Sequence, residues 1–76
     1  MNIKLHLGKK IREIRETKGW SQEFLADQSG LHRTYISGVE RGVRNPSIEI
    51  VFRIAIALEV NVALLFENLQ ISRERS

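Results

Sequence analysis

With 76 residues, no cysteine, and 12 Lys+Arg against 9 Asp+Glu for a net charge of +3, the chain has room for one small domain. Such a domain buries only about 60% of its unfolded surface, and neither a disulfide nor a zinc site built on His6 and His32 alone can staple it. The longest purely apolar runs, residues 54–58 and 62–66, are far too short to cross a bilayer, and the first residues lack a signal-peptide core, so a soluble, cytoplasmic protein with a taste for polyanions is expected.

Glycines at 8, 19, 30, 38 and 42 and the single Pro46 punctuate the chain without strand-like alternation between them, which predicts short helices in series. The first should cover residues 7–18, with Leu7, Ile11 and Ile14 on one face and Gly19 as its C-terminal cap. Ser21 caps a second helix over 22–29, whose acids Glu23 and Asp27 lie early, whose Leu25 and Ala26 face inward, and which Gly30 ends. A third helix is expected over 33–41, stopped by Gly42. After a loop through Arg44, Asn45 and Pro46, Ser47 caps a fourth over 48–59. Asn61 can cap a last short helix over 62–69, and residues 70–76 form a charged tail expected to fray.

The segment 22–42 carries the functional signal. A helix ends at Gly30, a turn of three or four residues follows, and a second helix starts near His32 or Arg33, which is helix-turn-helix spacing. A steep, close crossing needs a small residue at the contact, a residue free to take positive φ in the turn, and apolar anchors beyond it; Ala26, Gly30, and Leu31 with Ile36 fit those needs. At about 100° per residue with Ile36 pointing inward, Arg33, Thr34, Ser37, Gly38 and Arg41 gather on the outer face and Tyr35 on its flank. Arginine can bridge guanine O6 and N7, while threonine and serine can bond base edges or touch a thymine methyl; Gly38 would let the helix sit deep in the groove. Gln22 in the first turn of the second helix, and Arg44, Asn45 and Ser47 after the third, can meet phosphates. Glu40 is out of place beside a phosphate-facing surface. It points to the core side, where Arg15 on the edge of the first helix is its expected partner in a buried ion pair.

The set Gln22, Leu25-Ala26, Gly30, Leu31, Tyr35-Ile36-Ser37, Glu40, Gly42, Asn45-Pro46-Ser47 and Ala55 to Leu58 resembles the Xre/Cro family of phage-repressor-like helix-turn-helix proteins over residues 8–66. The string from Arg33 to Arg41 on so short a chain is most similar to the controller proteins of bacterial restriction-modification systems. The resemblance implies an all-α, compact five-helix, lambda-repressor-like DNA-binding domain that acts as a homodimer on double-stranded DNA at its own promoter, first activating, then repressing, with RNA polymerase as a partner when activating. It also implies base contacts from Arg33, Thr34 and Tyr35, to which the helical face adds Ser37. Backbone contacts come from Gln22, Asn45 and Ser47, to which the basic segment adds Arg41 and Arg44, and the Arg15–Glu40 pair is structural. A phage-type repressor or an antitoxin-like interaction module is the alternative within the same architecture.

On the fourth helix the family's inward positions are Ile48, Val51, Ile54, Ala55 and Leu58, already a complete apolar face. Phe52 and Ile56 fall roughly 100° or more from its centre, and Ala63 and Leu64 are likewise surplus, so these four are the expected twofold interface. His32 has no second metal ligand at suitable spacing, and Trp20 suits a core position over the first two helices. Asp27, His32 and Ser37 lie on different helices or faces, so neither an enzyme, a metal, a cofactor nor a small-molecule ligand is expected.

Overall fold

The computed structural model describes residues 2–69, and the tail over 70–76 lies outside them. Four helices, α1 (Ile3–Thr17), α2 (Gln22–Ser29), α3 (Arg33–Glu40) and α4 (Ile48–Leu58), are followed by a short 3₁₀ helix, Val62–Phe66. The expectation of five α-helices is thus corrected to four and a 3₁₀ turn. That last element stops at Phe66 rather than Leu69 because Glu67 is extended and Asn68 takes a left-handed φ of 64°, a conformation asparagine tolerates at little cost.

The internal boundaries follow local chemistry. Ser21 Oγ accepts from the Phe24 amide, Ser47 Oγ from that of Ile50 and Asn61 Oδ1 from that of Ala63; each satisfies a donor that the first helical turn leaves open. Gly19 and Gly30 sit at φ of 74° and 71° where α1 and α2 stop, which a side chain would resist. Helix α4 ends at Leu58, one residue before the expected limit, with Glu59 itself left-handed at 61°.

The start of α1 differs most. It begins four residues before the expected Leu7, with Asn2 Oδ1 accepting from the Lys4 and Leu5 amides. Its first turns are tied to distant chain: His6 Nε2 donates to the Glu67 carbonyl at 3.1 Å, and Leu5 packs over Gly42. Gly8 therefore is not punctuation but lies inside α1, where a Cβ would drive into the carbonyl oxygens of Val39 and Glu40. The glycine is what lets α1 cross the end of α3 backbone to backbone.

The core is Leu7, Ile11, Leu25, Ile36, Val39, Val51, Ile54, Leu58 and Leu65 with Ala26 and Ala55, and Trp20 packs against its edge. Helix α3 is held between α1 and α2, while α4 backs α2. Ile48, expected inward, is 88% exposed, and the half-buried Ile50 takes the place beside the core instead. Ile48 follows the Ser47 cap directly, so its side chain leaves the helix before α4 reaches the core. Among the described residues no helix is long and apolar enough to cross a membrane.

In an open helix Gly→Ala gains about 1 kcal/mol, but here the added methyl meets backbone that cannot yield. Gly8→Ala should lower stability in urea denaturation by about 1–3 kcal/mol; a variant as stable as the parent would show that α1 and α3 stand further apart.

Candidate nucleic-acid interface

Helix α2 and α3 are joined by a turn with a specific hydrogen-bond pattern. Gly30 N–H donates to Asp27, and Leu31 N–H reaches back to the Ala26 carbonyl at 2.9 Å, closing α2 while turning the chain sharply. Ala26 and Leu25 are buried at the crossing. His32 begins α3 without capping it by its side chain, so the amides of the first turn are left for another acceptor.

Helix α3 is divided by its own period. Ile36, Val39 and Glu40 are buried, whereas Arg33 and Thr34 are exposed at the leading end and Arg41 at the trailing end, with Ser37 half-buried between them. Tyr35 is half-buried on the flank, as expected. Past the helix, Arg44, Asn45 and Ser47 are all exposed.

Glu40 is the hinge of the site. Arg15 Nε and Nη2 donate to its two oxygens at 2.7 and 3.0 Å, and Arg15 Nη1 donates to the Trp20 carbonyl at 2.7 Å. The fork is bidentate, the geometry for which guanidinium suits carboxylate, with side chains only 10% and 3% exposed. The hydrogen bond to Glu40 is the chief reason the Arg15 pKa lies above its ordinary value; the carboxylate's charge adds to it and burial opposes it. Gln22 Nε2 also donates to Glu40 Oε1 at 2.9 Å. The Gln22 amide is therefore half committed to the fold. One N–H and the backbone at the start of α2 remain for a phosphate. Glu40 is the only acid between residues 31 and 47 and is neutralised internally, and Arg33, Arg41 and Arg44 form no ion pair among the described residues.

Gly38 does not open onto the outer face; it is buried. The amides of Val43 and Arg44 both donate to its carbonyl, at 3.0 and 3.3 Å, and a Cβ would lie 2.7 Å from Arg44 Cγ. The missing side chain lets the chain fold back over α3, which sets the Arg44 guanidinium 5.5 Å from the centre of the Tyr35 ring. That cation–π contact, worth about 0.5–1 kcal/mol where exposed, joins two expected DNA contacts into one unit. Sequence reasoning could not see it, because helical period places Gly38 outward and says nothing of the returning loop.

Two further residues escaped the sequence. Val43 is an exposed apolar side chain beside Arg44, able to meet a thymine methyl. Arg53, on α4, donates from Nη2 to the Gly30 carbonyl at 3.2 Å. Of the expected interface residues, Phe52 and Ile56 are 53% and 62% exposed, Ala63 is exposed and Leu64 half-buried. Of these four only Phe52 lines the apolar groove of about 430 Å³ that Ile3, Leu7, Pro46, Val62 and Phe66 help to form. Among the described residues no group of three or more His, Cys, Asp or Glu could hold a metal.

The helix-turn-helix family model matches residues 11–65 of this chain. The control protein C.BamHI of Bacillus amyloliquefaciens is 52% identical over 60 residues, 78% of this chain and 74% of that protein. The restriction-modification controller protein C.AhdI from Aeromonas hydrophila superposes with a TM-score of 0.81 at 46% identity, covering 83% of this chain and 96% of its own. The controller protein C.Esp1396I, solved as a tetramer on its natural 35 base-pair operator, gives a TM-score of 0.81 at 42% identity, covering 88% of each chain.

Removing one partner of the buried pair strands the other charge. Glu40→Ala or Arg15→Ala should each cost about 3–5 kcal/mol in denaturant unfolding, while Arg15→Met with Glu40→Leu together should lose far less than the sum. Additive losses would show that the two side chains do not act as a unit.

Proposed function

The chain belongs to the helix-turn-helix family, and on that premise we propose that it is a sequence-specific transcriptional regulator, a restriction-modification controller protein that binds a pseudo-palindromic operator at its own promoter as a homodimer. The observation that carries this reading is the two-sided α3, whose buried side anchors the domain and whose outer side presents Arg33, Thr34, Ser37 and Arg41 with no acid among them.

In the duplex, Arg33 bridges guanine O6 and N7 from the leading end of α3, Thr34 and Ser37 reach base edges, and Tyr35 contacts the groove wall from the flank. Arg41, Arg44 and Asn45 hold phosphates. So do the N-terminus of α2 with Gln22 and the O–H of Ser47, whose oxygen is taken by the Ile50 amide. These contacts fix register without reading sequence. The outward face of α4 with Phe52 and Ile56, together with Ala63 and Leu64 after it, is the twofold contact, which sets two α3 helices about 34 Å apart on successive major grooves. The tetramer that C.Esp1396I forms on its operator supports more than one such dimer per control region. When the protein activates, RNA polymerase is its second partner; the work is that of a binding protein in the cytoplasm, not of an enzyme.

Footprinting on the DNA flanking its own gene should reveal protected half-sites one helical turn apart, and no protection over competitor DNA at low salt would overturn the reading. Arg33→Ala should weaken specific binding by about 1–3 kcal/mol and relax one base position; an equal loss on random DNA would remove its base-reading role. Arg44→Ala should weaken all sequences alike and reduce the salt slope by about one, whereas a loss confined to the operator would assign it to base reading. Phe52→Glu should sediment as a monomer.

A further inference from the structure

The outward face of α4 carries Ile48, Phe52 and Ile56, all exposed, at i, i+4 and i+8, one unbroken apolar stripe. Glu49 and Arg53 lie on a single flank of that stripe, roughly 60° and 100° round from Phe52. A Glu followed by a cation four residues on is the order that pairs within a helix. Yet among the described residues Glu49 forms no ion pair, because Arg53 turns away to the Gly30 carbonyl. Gly30 ends α2, which has no basic residue in its own last turn, so the guanidinium also sits at the negative end of that helix. Four of the five N–H donors of Arg53 and the whole Glu49 carboxylate are left over.

We infer that this face docks on the same face of a second copy with the two α4 helices antiparallel, the twofold axis passing beside Phe52, and Glu49 of each protomer pairing with Arg53 of the other. The inference rests on the dimer reading above and supplies its register. A twofold axis perpendicular to two antiparallel helices keeps a flank on the same side of the pair. With the axis at Phe52, Ile48 meets Ile56 of the second copy, Phe52 meets its own equivalent, and Glu49 comes within two residues of rise, about 3 Å along the axis, of the other Arg53. One operation covers the stripe and satisfies all four charges. A parallel arrangement throws the two flanks to opposite sides and leaves every charge unpaired, so the charge pattern selects the antiparallel one.

The same arginine then touches both the second copy and the helix-turn-helix turn. From the carboxylate across the axis, through the guanidinium, to the Gly30 carbonyl runs a short polar link between the dimer contact and the point where α3 is aimed, so Arg53 is a positioning residue for the spacing of the two recognition helices.

Charge exchange tests this directly. By sedimentation equilibrium, Glu49→Arg and Arg53→Glu should each weaken dimerisation at least about tenfold, since two attractive pairs per dimer become repulsive, and the double exchange should return to within about threefold of the parent. A double variant as weak as the singles, or singles that dimerise like the parent, overturns the register. Glu49→Gln and Arg53→Gln, followed by thermal melting of each variant, serve where a reversal disturbs folding; dimerisation unchanged in both is equally fatal. Phe52→Glu separates the two levels. If it is monomeric while the charge variants dimerise normally, only the register fails; if it still dimerises, the α4 face is not the interface at all.

Discussion

The site depends on one buried interaction, the fork between Arg15 and Glu40. A recognition surface for DNA cannot afford an uncompensated acid, yet α3 carries one in its last turn. The fold resolves this by turning Glu40 inward and closing it with a guanidinium from α1 and an amide from α2. Three helices are thereby joined at one carboxylate. Desolvation makes such a pair a poor source of net stability, but it imposes geometry: α3 cannot rotate about its own axis without unseating charged groups that have no water to fall back on. Arg15 also holds the Trp20 carbonyl, so the chain between α1 and α2 is anchored by the same side chain. The aim of the outer face is set from behind.

That constraint explains how so short a helix can present side chains reliably. An isolated eight-residue helix is unstable in water, and α3 gains nothing from a side-chain cap at its start. Its order comes from Ile36 and Val39 in the core, from Glu40, and from the loop that returns across Gly38. On the proposed reading, the outer residues are then free to be chosen for the groove alone. Arg44 is the exception, since stacking on Tyr35 trades some of its freedom for a preset position and lowers the entropy lost on binding.

Much of this was legible in the residues because it is local. Ser21, Ser47 and Asn61 cap and Gly19 and Gly30 end helices, each from a few neighbouring positions; an acid on the core side of α3 calls for a cation, which Arg15 supplies from twenty-five residues away. What escaped is tertiary. Gly8 has the composition of a break, but only the approach of the end of α3 reveals it as a crossing point. Gly38 lies outward by helical period, and the loop that covers it arrives from five residues on. Ile48 is inward on the family pattern, but the first residue past a cap projects before the helix meets the core. Arg53 acts on a carbonyl twenty-three residues away, and no periodicity announces that.

Helix α4 joins these levels because it is apolar on two sides. Its inner residues Val51, Ile54, Ala55 and Leu58 complete a core that a chain of this size can barely fill, and its outer stripe is too apolar to leave in water. On the proposed reading, covering that stripe with a second copy does two things through one equilibrium. Self-association stabilises each domain by mass action, and it converts two weak half-site contacts into one bivalent contact whose second half is intramolecular. Occupancy of the operator must then rise more steeply than linearly with the amount of protein, because dimers form before they bind. A regulator that senses its own abundance needs no ligand for that response; the concentration dependence is contained in the unpaired face of α4.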